Sequence, residues 1–196
     1  MARDRSDYDP ESGGRGRIDK GRGMRKLIFV DCEATGPCPG IGVLTEFGAV
    51  DHETRQTFHG VLYDSEPDPE NPARPVVTGG AYDATEVFGN FRAWLDTVGK
   101  GRPIFVSDNP AYDFQWINHG FWHALGENPF GHSGRRIGDY YAGLTGDFRQ
   151  TQGWKQYRVT PHDHNPVNDA MGNVEAFETI QRLHREGRLR PGAVGR

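Results

Sequence analysis

The 196-residue sequence predicts an α/β domain, a mixed β-sheet flanked by α-helices. Two observations carry that prediction. Three apolar runs follow one another at hairpin-like spacing between residues 26 and 64, and strand-like and helix-like patterns then alternate to the end of the chain. The length suits one domain, expected over residues 24–187 between a flexible N-terminal tail, 1–23, and a flexible C-terminal tail, 188–196.

The elements follow in order. Residues 1–23, MARDRSDYDPESGGRGRIDKGRG, hold almost nothing to bury and read as a solvated tail, with Met24 as an alternative start. KLIFVDCE, residues 26–33, is a short apolar run bounded by charge and reads as a buried strand. VLTEFGAVD (43–51) and QTFHGVLYD (56–64) extend it as an antiparallel meander, and DSEPDPENPARP (64–75) reads as a proline-rich loop. In ATEVFGNFRAWLDTVG (84–99) the residues Val87, Phe91, Trp94 or Leu95, and Val98 fall on one helical face. RPIFVSD (102–108) is a second buried strand, PAYDFQWINHGFWHALG (110–126) a helix and IGDYYAGLTG (137–146) a shorter one. A last helix after Asn165 carries Val167, Ala170, Val174, Phe177, Ile180 and Leu183 at helical spacing.

Composition excludes several classes. Net charge is −4, so the chain is no basic nucleic-acid coat, although residues 1–26 hold eight Lys/Arg against five Asp/Glu and the remainder carries −7. Cys32 and Cys38 are too few for a disulfide scaffold and lack zinc-site spacing. No apolar run approaches the ~18 residues of a membrane span, and the N-terminus has no signal-peptide core. The expectation is a soluble, cytoplasmic protein with no membrane partner.

One feature of the first strand is not explained by folding. Side chains alternate across a strand, so Asp31 and Glu33 face the same side at its end. Two like charges there repel, unless both are solvated or a cation sits between them. Hard oxygen ligands converging on Mg²⁺ or Mn²⁺ would remove the conflict. NPAYD (109–113) and NPVND (165–169) share one form: Asn at the N-cap, Pro at the first helical position, Asp in the first turn. An Asp there also serves the helix dipole. Asp113, however, follows a buried strand directly, at the sheet edge where open α/β sheets keep their sites. His164 lies on the loop five residues before Asp169, with His162 as a near rival.

In this order, Asp31-x-Glu33 with EATG after it, TEFGAV in the next strand, NPAYD and HNPVNDA resemble the DEDDh 3′–5′ exonucleases. These form the proofreading-exonuclease and oligoribonuclease superfamily, with a ribonuclease-H-like fold. The resemblance spans residues 26–183. Asp108 stands where the family often has His, Tyr112 where Phe is usual, Pro166 where Ala follows the histidine, and Ala34 where Thr is frequent. None of these departures removes a metal ligand, and Asp108 adds negative charge beside the site.

The resemblance implies a two-metal mechanism. Asp31, Glu33 and Asp169 would hold the ion that activates water, Asp31 would bridge to a second ion assisted by Asp113, and His164 would be the general base. Four residues between His and Asp select His164 over His162. The implied cofactors are two divalent ions, Mg²⁺ or Mn²⁺, and the implied partner is single-stranded DNA or RNA with a free 3′ end. Thr35, Gly36, Phe47, Asn109 and Tyr112 are candidate substrate contacts, the aromatics by stacking on bases; each aromatic is equally a core candidate. Lys155 and Arg158 are candidates for phosphate or for a solvated face. A homodimer or a polymerase partner stays open. So do two other functions on this fold, a non-catalytic nucleic-acid-binding module and an endonuclease.

Overall fold

A computed structural model describes residues 25–71, 74–99 and 101–190. The expected tail over 1–23 and the alternative start at Met24 lie outside the described residues, as does 191–196 of the expected C-terminal tail. Residues 188–190 are held against the domain: Leu189 packs on the core and Tyr141 Oη donates to Arg190 O at 2.9 Å.

Strands β1 (Leu27–Ala34), β2 (Leu44–Asp51) and β3 (Thr57–Val61) form the antiparallel meander the sequence predicts. Two further strands, β4 (Tyr63–Pro67) and β5 (Pro75–Ala81), pair in a separate two-stranded sheet. The expected proline-rich loop is thus corrected only at its ends: residues 64–67 and 75 are strand, while 68–71 and 74 connect them. Pro67 and Pro75 sit at facing strand ends, where a missing N–H costs no central ladder bond. Helix α1 (Ala84–Thr97) follows, then β6 (Ile104–Ser107), α2 (Pro110–Leu125), β7 (Gly134–Arg136), α3 (Ile137–Thr145), a 3₁₀ turn (Gly153–Tyr157) and α4 (Pro166–Arg185). The main sheet runs β3-β2-β1-β6-β7, with β6 parallel to β1 and β7 parallel to β6. The mixed five-stranded sheet between helices is the predicted fold class.

Strand alternation sorts the core into two layers. Ile28, Val30, Cys32 and Ala34 of β1 join Phe47, Phe88, Phe91, Phe105, Ile117 and Phe121 under α1 and α2. Phe29 joins Val50, Val106, Val174, Phe177 and Ile180 under α4. Asp31 and Glu33 continue the Phe29 row, so both open toward α4. In α1 the buried residues are Phe88, Phe91 and Leu95. The predicted stripe is thus rotated slightly, with Val87 and Trp94 at its flank.

Candidate active site

β1 delivers Asp31 and Glu33 to its C-terminal end, and α4 delivers Asp169 from its first turn. Asn165 caps that helix, its Oδ1 accepting from Val167 N at 3.0 Å and Asn168 N at 3.2 Å, while Pro166 occupies the first helical position. The helix start is pressed onto the sheet at Gly48, which lies opposite Asp31 in register. A Cβ on Gly48 would stand 2.3 Å from the Pro166 backbone, so only glycine permits this approach. One ligand oxygen from each of Asp31, Glu33 and Asp169 then lies within 4.8 Å of the others.

Asp113 lies outside that close trio. It is buried in the first turn of α2 behind Cys32, whose Sγ contacts its carbonyl at 3.6 Å, and its Oδ2 accepts from Asn109 N at 3.3 Å. It is nonetheless an electrostatic neighbour. Burial pushes Asp31 well above the carboxylate range, and the charges of Asp113, then Asp169 and Glu33, push the same way. Burial first, then Asp169, Glu46 and Asp113, raise Glu33 to about 8. Burial likewise raises Asp113 to about 7. Asp31, Glu33 and Asp113 are thus gathered where none of the three ionises comfortably unaided.

His164 holds a left-handed backbone, φ 62°, on the loop before α4, and its Nδ1 lies 3.7 Å from Glu33 Oε1. His162 Nδ1 is 2.6 Å from Asp169 Oδ2, with its ring 4.5 Å from that of His164. That contact lacks hydrogen-bond geometry, so both buried Asp169 oxygens accept none. The donor set therefore fits a divalent cation: hard oxygens, crowded, desolvated and short of donors.

The remaining candidates divide. Phe47 is a correction: it is fully buried on the α1 side, 4.9 Å between ring centroids from Phe91, because strand alternation turns it away from Glu46 and Gly48. Thr35 and Gly36 follow β1 directly and are half-buried. Thr35 N donates to Val43 O at 3.0 Å, and Gly36 packs against Gly42 too closely for a side chain. Asn109 is exposed at the α2 N-cap and its side chain makes no capping bond. Tyr112 is half-buried, its Oη donating to Ala34 O at 3.4 Å, and burial raises its phenol.

Asp108 is neutralised. Lys155 Nζ lies 2.7 Å from its Oδ2, and Arg158 Nη2 3.7 Å. Arg158 is itself fixed over the Trp154 ring and donates to Asn173 Oδ1 at 3.1 Å through Nε. Arg158, its side chain 10% exposed, is not the solvated cation its sequence context allows, whereas Lys155 stays exposed while pairing with Asp108. The pairing was invisible in sequence because it closes over 47 to 50 residues. Glu46, paired with Glu33 across β1 and β2 and contacted by His59 Nε2 at 2.6 Å, was also missed; only strand register reveals it.

No protein-family model matches the chain. The 3′–5′ DNA exonuclease Cap18 of Escherichia coli is 31% identical over 181 residues, covering 83% of this chain and 95% of that protein. The chain belongs to the DEDDh 3′–5′ exonucleases. It is accordingly a 3′–5′ exonuclease, and membership implies dependence on divalent metal. Solved structures agree in fold. The nuclease domain of 3′hExo, a DEDDh family member bound to rAMP, superimposes with a TM-score of 0.53 at 16% identity, over 84% of this chain and 94% of that one. A zinc-bound complex of E. coli exonuclease I with single-stranded DNA gives 0.50 at 14% identity, over 84% of this chain and 41% of that one. No helix among the described residues is long and apolar enough to cross a membrane.

Proposed function

We propose that this exonuclease hydrolyses single-stranded DNA or RNA from a free 3′ end, releasing nucleoside 5′-monophosphates, with two divalent ions and His164 as general base. DNA is the substrate to test first, because the 31%-identical relative is a DNA exonuclease. The observation that carries the reading is the meeting of Asp31, Glu33 and Asp169 within 4.8 Å, beside an imidazole 3.7 Å from Glu33.

Asp31, Glu33 and Asp169 would hold one ion; Asp31 and Asp113 would hold the other. When bound, such a pair supplies an activated water and stabilises charge on the leaving oxygen. The chain's own groups do the rest. His164 accepts the proton of the attacking water at a ring nitrogen, and with its side chain 33% exposed it passes that proton to solvent. Pairing of Asp108 with Lys155 and Arg158 removes a charge that would repel the incoming phosphate. Gly36 offers backbone to the terminal nucleotide, Thr35 offers its hydroxyl hydrogen because its backbone N–H is taken by Val43 O, and the uncapped Asn109 side chain offers a polar contact.

The test uses 5′-labelled single-stranded DNA and RNA of matched sequence, with a 3′-phosphate control, in Mg²⁺, Mn²⁺ or EDTA. A metal-dependent ladder shortening from the 3′-hydroxyl, absent in Asp31→Asn, is expected. Internal fragments would indicate an endonuclease, and binding without cleavage a non-catalytic module; either outcome overturns the proposal.

A further inference from the structure

Among the described residues of this region, His162 is an imidazole that hydrolysis leaves without a task. The loop places it with care. Asp163 Oδ1 accepts from Asn165 N at 3.0 Å and its Oδ2 accepts from Asn168 Nδ2 at 2.9 Å, tying the middle of His162-Asp163-His164 to the start of α4. The histidines on either side are thereby brought together, rings 4.5 Å apart. His162, His164 and Asp169 each present a ligand atom within 4.8 Å of the other two. Asp169, 1% exposed, has two buried oxygens without hydrogen bonds, and its Oδ2 stands 2.6 Å from His162 Nδ1.

Two ligand sets therefore share one carboxylate. Asp31, Glu33 and Asp169 offer oxygens only, which suits Mg²⁺ or Mn²⁺. Two imidazoles and a carboxylate suit a borderline-soft ion in a four-coordinate site with one open position. We propose that His162, His164 and Asp169 form a second metal site, selective for Zn²⁺, whose occupation switches the exonuclease off. Zinc there ties up the lone pair with which His164 would take a proton, and draws Asp169 from the oxygen site. The binding half of this inference stands by itself; the inhibitory half rests on the proposed roles of His164 and Asp169.

The test starts with zinc binding alone. Metal-depleted full-length protein is titrated with ZnCl₂ by calorimetry, with a chromophoric chelator as competitor, for the native sequence, His162→Gln and Asp31→Asn. One tightly bound zinc is expected, weakened by His162→Gln by at least the about 10- to 100-fold that losing an outer-shell partner costs, and retained in Asp31→Asn. Affinity indifferent to His162→Gln, or lowered as much by Asp31→Asn, overturns the site. In Mg²⁺-supported cleavage, zinc should inhibit the native protein. His162→Gln should keep the basal rate and need proportionally more zinc for the same inhibition; equal sensitivity overturns the switch. A native protein inactive in Mg²⁺ sinks the hydrolytic mechanism and the switch with it, while calorimetry still decides whether the site exists.

Discussion

Removing charge from Glu33 should stabilise the metal-free protein while abolishing its activity. The Glu33 carboxyl is raised from 4.5 to about 8, by burial first and then by Asp169, Glu46 and Asp113. The folded protein thus keeps a proton that the unfolded chain has released. Stability is full below the unfolded value and falls as pH rises through the folded one, because the native state binds more protons throughout that window. From about pH 5.5 to about pH 8 the loss from this one group is about 3 kcal/mol. For a chain of this size that corresponds to about 6–12 °C in Tm. Glu33→Gln carries no such proton and removes that part of the slope. Scanning calorimetry in EDTA across the window should show the metal-free native protein losing stability with pH and the variant losing markedly less. Saturating Mg²⁺ should stabilise the native protein increasingly toward the alkaline end, since the ion displaces the same protons. A native profile that is flat or rising, or a variant with the native slope, would refute the account of crowded carboxylates.

Three other substitutions separate chemistry from packing. His164→Asn, which tolerates the left-handed backbone, should lower turnover about 10²- to 10⁴-fold with little change in Tm, read by single-turnover cleavage and melting. Gly48→Ala drives a methyl into the Pro166 backbone; it should cost about 1–3 kcal/mol and, by displacing Asp169, about 10²-fold in rate in the protein that remains folded. Denaturant titration and cleavage on the same sample check both. Phe47→Ala should destabilise the fold by about 3–5 kcal/mol while leaving KM for the folded fraction unchanged, as a core residue must and a base-stacking residue would not.

The sequence by itself determined the elements that local chemistry dictates. Period-two alternation in LIFVDCEA put Asp31 and Glu33 on one side of a strand, and the Asn-Pro pairs at 109–110 and 165–166 announced helix starts with Asp113 and Asp169 in the first turn. Those are short-range effects of pleat, cap and ring geometry, and they survive without knowledge of the rest of the chain. Tertiary structure alone decided which side of the sheet each group meets. Alternation along β2 puts Glu46 and Phe47 on opposite sides, but only register with β1 decides that Glu46 lies beside Glu33 and Phe47 in the aromatic core. Pro67 and Pro75 read as loop, yet face each other at the ends of β4 and β5, since pairing of the two strands overrides local preference. The neutralisation of Asp108, the close seat of α4 on Gly48 and the meeting of His162 with Asp169 all join residues far apart or on different elements. Their energies depend on distance through space, which spacing along the chain does not encode.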